Sequence, residues 1–404
     1  MSTSFIYHAL GCIGYQYLKT KYKKSKIFIF IRKQSGKIRC PECDSYKIIF
    51  KGTKTRHFKS VPIGKKQIIL VVVIQRIKCK ECDCIKQIKL GLADPKKSYT
   101  HSFARYALEL LKFSTINDVA RHLHISWDTI KEIQKDYLKK HFNKPNLSGL
   151  TQIAIDEISI GRKHNYLTIV LDLKAGAIVF IGDGKGSNSL EPFWKKLHRA
   201  KAHIEAVAID MSPAYIKAVR ENLPDAAIVF DHFHIIKYYN DKLTKLRQQL
   251  YHETTGYLES QALKGLRWIL LKNPENLNKD KNEKEQLEKA LKVNKPLAIS
   301  YYLKEDLRQF WNQENKAKAH EFLENWVAKA RASGVRMLDK FANTLASHRT
   351  GILAYYDYPI STGPLEGTNN KIKTMQRQSY GFRDKEFLKL KIYAIHQSRY
   401  ALIG

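Results

Sequence analysis

The sequence predicts an α/β protein: a mixed-sheet core, interrupted by a helical insertion and preceded by two small modules. Three observations predict it. Two Cys-x-x-Cys pairs, Cys40/Cys43 and Cys79/Cys82, sit at the ends of short β-type runs. A helical stretch with capped breaks begins at Thr100. From Ile153 onward, three apolar runs of strand length follow one another and then alternate with helices, ahead of a long helical tract. With 404 residues, the chain is long enough for roughly two to four domains at about 100–200 residues each. The boundaries read as 1–95 for the cysteine-bearing region, 96–148 for the helical module, 149–234 with 357–404 for the core, and 235–356 for the insertion.

The formal net charge is +33, and residues 1–150 carry 31 Lys and Arg against 10 Asp and Glu. A surface so positive attracts polyanions at a distance, and its concentration in the first third points to an N-terminal module that grips phosphates. Lys-rich composition alone does not explain that asymmetry. No run of about 18 uninterrupted apolar residues occurs, so no membrane span is expected. The apolar stretch within Met1–Leu18 has no basic region before it and is read as mature structure.

Four of the six cysteines form the two pairs, while Cys12 and Cys84 are left over. Paired thiols at this spacing suit a structural Zn²⁺ in a reducing cytoplasm better than a disulfide framework. The run Ile27–Ile31 precedes the first knuckle, and Ile68–Ile77 leads into the second; hairpins this small need a crosslinking ion, which makes the region a zinc ribbon. The 35 residues between Cys43 and Cys79 leave room for His57 as a further ligand, or for Cys84 in place of one of the four.

Between Ile116 and Lys140 the pattern is helix, tight turn and second helix, with Ser126 as N-cap: a helix-turn-helix. In such a unit the second helix lies in the major groove, which puts Trp127, Asp128, Thr129 and Lys131 near DNA. A plain helical hairpin has the same pattern.

In the core, Ile153–Asp156, Tyr166–Leu173 and Ala177–Gly182 are spaced as an antiparallel meander. Helix Leu190–Ala200, strand Ile204–Asp210, helix Ala214–Asn222 and strand Ala227–Phe230 follow. This order is that of the ribonuclease H-like fold, a mixed sheet with helices on both faces. Gly182–Ser187 lacks the spacing of a nucleotide-binding loop and reads as a turn.

Asp156 falls in the first of these strands and Asp210 at the end of the fourth, which are neighbours in this fold. Two facing carboxylates repel unless cations lie between them, so they are costly as structure and useful as ligands for Mg²⁺ or Mn²⁺. Glu366 opens a helix after Ser361-Thr362-Gly363-Pro364 and is placed to complete a site for two ions, the arrangement that serves in-line displacement at phosphorus. Taken singly, each acid has another explanation: a strand end, a turn before Pro213, a favourable N-terminal helix charge.

The segments Ala154-Ile155-Asp156-Glu157, Ala208-Ile209-Asp210-Met211-Ser212 with Tyr215, Ile228–His234, and Gly363–Lys373 followed by Tyr380-Gly381-Phe382 resemble the DDE transposases of the bacterial ISL-three insertion-sequence family. The similarity spans nearly the whole chain, and the last motif is the most specific. The resemblance implies a DNA transposase that binds terminal inverted repeats and performs two-metal-ion cleavage and strand transfer. It puts the catalytic acids on Asp156, Asp210 and Glu366 and the zinc ligands on Cys40, Cys43, Cys79 and Cys82. Asp44 departs from the pattern, standing where a Gly commonly follows the first knuckle.

The D-x-x-H pair Asp231 and His234 corresponds to a pair close to the active site in related transposases. Lys371, Lys373, Arg377 and Arg383 flank Glu366 and are expected to meet phosphates. Double-stranded DNA, both repeat ends and target, is the implied partner. A homodimer or larger complex on DNA and a cytoplasmic, nucleoid-associated location are also implied. The alternatives are a catalytically silent DNA-binding regulator derived from a transposase, and a ribonuclease H-like nuclease without strand transfer.

Overall fold

The computed structural model describes residues 5–34, 36, 38–161 and 165–396. The chain divides into two compact units: residues up to Asn143 with those from Arg377 onward, and Lys144–Gln376.

The first unit opens on a sheet of β1 (Tyr15–Lys23), β2 (Lys26–Lys33), β3 (Ile48–Ile63) and β4 (Lys66–Cys79), in the order β1-β2-β4-β3, with β5 (Ile85–Gln87) paired to β4. Strand side chains alternate between faces. Ile29 and Ile31 therefore join Ile68, Leu70, Val72, Ile74 and Phe58 in one buried layer, closed by Leu10, Cys12 and Leu92. Cys12 is thus a core residue, and burial pushes its thiol up to about 12, which keeps it neutral.

Three helices follow, each started by a hydroxyl that accepts a backbone N–H of its first turn: Thr100 for His101–Leu110, Thr115 for Ile116–His122, and Ser126 for Trp127–Phe142. His124, at φ 49°, makes the tight turn between the last two. Their core of Phe103, Val119, Leu123, Ile130 and Ile133 is completed by Phe387 and Leu390. These two come from helix Lys385–Tyr393. The sequence assigned 357–404 to the core; within that stretch, helix Lys385–Tyr393 packs on the helix-turn-helix. Apolar Phe387 and Leu390 need a buried partner, and this three-helix core offers it.

The second unit holds β6 (Gln152–Ser159), β7 (Tyr166–Asp172), β8 (Ala177–Asp183), β9 (Ala206–Ile209) and β10 (Ala227–Phe230), in the order β10-β9-β6-β7-β8. The β6–β7 and β7–β8 pairs are antiparallel, whereas β6–β9 and β9–β10 are parallel. Helices Glu191–Ala200 and Pro213–Asn222 lie between strands in sequence. This is the expected ribonuclease H-like sheet. Near the end of β8 the Ser189 backbone packs against Gly182, where a Cβ would stand 2.3 Å from the Ser189 carbonyl oxygen, so only glycine fits.

Helix His232–Glu253 starts directly after β10 and leads into the insertion, which is helical throughout its length to Leu353 apart from its connections. Tyr239, Trp326 and Phe341 pack edge to face at its centre, with centroids 4.8–6.2 Å apart. Their polar tips are satisfied: the Tyr239 hydroxyl donates to the Ser300 carbonyl at 2.6 Å, and Trp326 Nε1 donates to the Leu303 carbonyl at 2.9 Å. Helix Gly363–Gln378 closes the unit. No helix of the described residues is long and apolar enough to cross a membrane.

Candidate functional site

The register of β6 against β9 pairs Ile153 with Val207 and Ala154 with Ala208. Asp156 lies on β6 two residues beyond the last of these pairs and Asp210 directly follows β9, close enough for the Asp210 charge to act on Asp156. Asp210 Oδ1 accepts the Ser212 N–H at 3.0 Å, which fixes its carboxylate in a turn at the strand end. Asp156 is held at the sheet surface by its pairing with Ile169.

Burial raises the Asp156 carboxyl from its ordinary 3.8 to about 6, with the charges of Asp210 and Glu157 adding to the rise and His234 opposing it. A buried carboxylate beside another is held against its own electrostatics, which is the environment a cation relieves.

Above Asp156 lies helix Gly363–Gln378. Its inward residues are Leu365, Thr368, Asn369, Ile372 and Met375. Asn369 donates Nδ2 to Asp156 Oδ2 at 2.9 Å, and its Oδ1 is buried with no hydrogen-bond partner among the described residues. Glu366 precedes Asn369 by three positions, so the two are neighbours on the helix surface. The Glu366 side chain is exposed.

The structure therefore brings Asp156 and Asp210 together and sets Glu366 one helical turn from a residue that touches Asp156, but the three acids do not form a closed ligand set. Among the described residues, only the ribbon cysteines gather three or more ligand atoms within 4.8 Å of one another. Sequence reasoning missed Asn369. Its signal was a polar residue at helical spacing from Glu366 inside the most specific motif.

Asp231 caps the end of β10 and is buried; its Oδ1 accepts the Thr362 N–H at 3.3 Å. It thereby ties the strand end to the residue preceding the Glu366 helix. His234 Nδ1 stands 3.7 Å from Asp231 Oδ2, and the charge of His234 reaches Asp156. On the opposite face of β6, Glu157 accepts the Tyr215 hydroxyl at 3.3 Å. Tyr215 is buried and also lies 3.3 Å from Thr168 Oγ1. That network anchors β6 from behind.

In the ribbon, the Sγ atoms of Cys40 and Cys82 are 3.5 Å apart, as are those of Cys43 and Cys79, and all four lie within 4.8 Å of one another. Tetrahedral zinc with ligands near 2.3 Å requires sulfur spacings of about 3.8 Å, so the donor set fits the ion. The backbone N–H groups of Cys43 and Glu42 pull the Cys40 thiol down to about 6, toward the thiolate that zinc needs.

The two knuckles are near copies. Cys40 N–H donates to the Ser45 carbonyl at 2.9 Å, and Cys79 N–H to the Cys84 carbonyl at 3.0 Å. Asp44 and Asp83 take the left-handed conformation at φ 59° and 52°. Asp44 thus occupies the glycine position, and its carboxylate meets Arg39 at 2.7 Å. Cys84 Sγ lies 3.4 Å from Cys40 Sγ yet outside the four-atom set. His57 pairs with Val71, eight residues up β4 from Cys79, and packs against Phe28. At about 3.3 Å per residue it is some 26 Å from the knuckles and takes no part.

Of the residues expected to face DNA, Trp127 is 44% exposed at the start of the second helix. Thr129 is half-buried and shares a 2.7 Å hydrogen bond with Ser126. Lys131 is turned inward: its ammonium meets Asp384 at 3.1 Å and lies over the rings of Trp127 and Phe387. Lys371, Lys373, Arg377 and Arg383 are exposed.

A ribonuclease H-like domain carried on the same chain as a zinc ribbon and a helix-turn-helix defines a class of protein that binds DNA and acts on it. Residues 153–392 match the DDE transposase model of the ISL3 group, 36–82 the zinc finger of transposases IS204/IS1001/IS1096/IS1165, and 88–138 the helix-turn-helix domain of transposase family ISL3. The chain belongs to this transposase family.

It is 30% identical to the transposase for insertion sequence element IS1001 of Bordetella parapertussis, over 91% of this chain and 90% of that one. With the transposase for insertion sequence element IS1557 of Mycobacterium tuberculosis it shares 25% identity, over 90% and 87%. The Drosophila P element transposase strand transfer complex aligns with a TM-score of 0.36 at 13% identity, over 77% of this chain and 94% of that one.

Proposed function

We propose that this transposase cuts and rejoins phosphodiester bonds at the terminal inverted repeats of an insertion sequence, with Asp156, Asp210 and Glu366 as its catalytic acids. One observation supports the proposal: Asp156 on β6 feels the charge of Asp210, which directly follows the neighbouring strand β9, and accepts a hydrogen bond from Asn369 on the helix that bears Glu366. Asp156, Asp210 and Glu366 would hold two Mg²⁺ or Mn²⁺ ions, with the exposed Glu366 side chain turning toward the other two. When bound, such ions activate the attacking oxygen and neutralise charge on the leaving one.

The chain's own groups do the rest. Asn369 orients the Asp156 carboxylate, Asp231 fixes the start of the Glu366 helix, and His234 supports the acids or contacts the scissile strand. Water attack nicks the repeat end, and attack by the freed 3′-hydroxyl joins it to target DNA. Trp127 and Thr129 at the start of the recognition helix face base edges. Lys371, Lys373, Arg377 and Arg383 meet backbone phosphates. Lys131 acts from within, holding the helix to Asp384. Two ends must be brought together, so the working form is a homodimer or larger on DNA, at the nucleoid.

The test is metal-dependent strand transfer of a labelled repeat end by the parent chain, Asp156→Asn and Glu366→Gln. The parent is expected to cleave and join, and both variants to bind without cleaving. A parent that binds repeat ends but never cuts them is a regulator. One that cuts but never joins is a nuclease.

A further inference from the structure

The strands β1–β4 carry thirteen Lys and Arg, three each on β1, β2 and β4 and four on β3, and not one Asp or Glu. One face of their sheet is the buried layer described above. The pairing register defines what stands on the other. Lys21, Phe28 and Ile69 form one row across β1, β2 and β4. Lys19, Phe30, Val71 and His57 form the next across all four strands, and Arg32 and Val73 the one beyond.

This face alternates rings with cations. Lys19 and Lys21 lie over the Phe30 ring, 5.2 and 5.9 Å from its centroid, and Phe28 meets His57 edge-on at 6.5 Å. Phe28 and Phe30 are half-buried, while Lys19, Lys21, Arg32 and His57 are exposed. A sheet selected only to cover a core has no need of aromatics on its outer face, nor of an unbroken excess of positive charge. Bases stack on flat rings only when they are out of the duplex, and the cations beside the rings are spaced to meet the phosphates between such bases.

We propose that this outer face of β1–β4 binds an unpaired DNA strand, with Phe28 and Phe30 stacking bases and Lys19, Lys21 and Arg32 holding the backbone. It is a DNA contact separate from the recognition helix and from the acids, and it does not depend on their chemistry.

The experiment uses the full chain and a fluorescein-labelled oligothymidine of about 12 nucleotides, within the site sizes such surfaces cover, alongside a duplex of the same length. Phe30→Ala is expected to weaken single-strand binding on the order of tenfold while leaving duplex binding within about twofold. The double variant Lys19→Gln, Lys21→Gln is expected to flatten the salt dependence by about 0.7 in log–log slope for each lost phosphate contact. Phe30→Trp keeps a ring in place, so its binding is retained and its added emission is quenched as the oligonucleotide is titrated. Lys289→Gln, on the exposed surface of the insertion, changes nothing.

Three results overturn the proposal. One is unchanged binding by Phe30→Ala, and another is an unquenched Phe30→Trp. The third is an equal loss of single-strand and duplex binding in Phe30→Ala, which makes the ring a packing element.

Discussion

Asn369 donates its side-chain amide to Asp156 at 2.9 Å, joining two residues 213 positions apart in sequence. The bond orients one of the paired carboxylates and leaves Asn369 Oδ1 buried and unpartnered among the described residues. An oriented acid is worth more than a present one, because misplacement by about 1 Å costs on the order of a hundredfold in rate.

Asn369→Ala is therefore expected to lower strand cleavage by roughly 10–100-fold, the range typical of groups that orient metal ligands, and to raise the Mg²⁺ concentration needed for half-maximal rate. Binding of a repeat end in EDTA stays the same. Cleavage kinetics across a Mg²⁺ titration decide it, and an unchanged Mg²⁺ requirement would remove Asn369 from the site.

Asp156 predicts an opposition between stability and activity. Its carboxyl titrates near 6 in the folded chain against an ordinary 3.8. The folded state thus holds the proton more tightly, and stability is greatest below the unfolded value. It falls as pH rises from about 4 to 6 and is level above that. Asp156→Asn removes the buried charge. At pH 7.5 in EDTA it is expected to stabilise by roughly 1–3 kcal/mol, raising the melting temperature of its unit by several degrees. The gain shrinks toward zero near pH 4. Cleavage is lost at every pH. Melting curves of parent and variant at the two pH values check this, and a gain independent of pH contradicts the burial argument.

Much of this was legible in the sequence because it rests on local pattern. Apolar runs of strand length marked β6–β10, Cys-x-x-Cys spacing marked the knuckles, and the Ser126 N-cap marked the start of the second helix of the helix-turn-helix. The strand order made β6 and β9 neighbours, as the sequence expected for the strands of Asp156 and Asp210. What stayed hidden depends on contacts between distant segments. Lys131 reads as a free cation on a recognition helix until Asp384 is seen beside it. Likewise, Phe387 and Leu390 look like core-domain residues until their packing on the helix-turn-helix is known. Asn369 was in view but had no partner that the sequence could name.

The ribbon separates four ligands from a fifth thiol. Cys84 occupies the place that Ser45 holds in the other knuckle, close to Cys40 but outside the tetrahedral group. Cys84→Ser is expected to keep one zinc per chain. Cys79→Ser loses it, and with it the anchor at the end of β4, so that the N-terminal sheet becomes open to protease. Zinc content by a colorimetric chelator assay, paired with limited proteolysis, distinguishes the two. Zinc loss in Cys84→Ser would make it a ligand.

Gly351 tests how the Glu366 helix is held in place. It lies in helix Arg349–Leu353, which packs on β10. A Cβ at this position would stand 2.4 Å from Phe230 Cε2 and 3.1 Å from the Ile228 carbonyl oxygen. The ring must therefore move, and with little slack, because the backbone beside it is also close. Phe230 immediately precedes Asp231, whose carboxylate accepts the Thr362 N–H at 3.3 Å just before the Glu366 helix. Displacement of Phe230 is thus passed to the start of the Glu366 helix through one residue and one hydrogen bond. Gly351→Ala is expected to cost about 1–3 kcal/mol by overpacking, lowering the melting temperature of this unit by a few degrees, and to slow cleavage without weakening repeat binding. Adding Phe230→Leu makes room for the methyl group, so the double variant should recover stability relative to Gly351→Ala. If the single variant melts with the parent, the close approach is not there, and Asp231 must set the helix position by some other route.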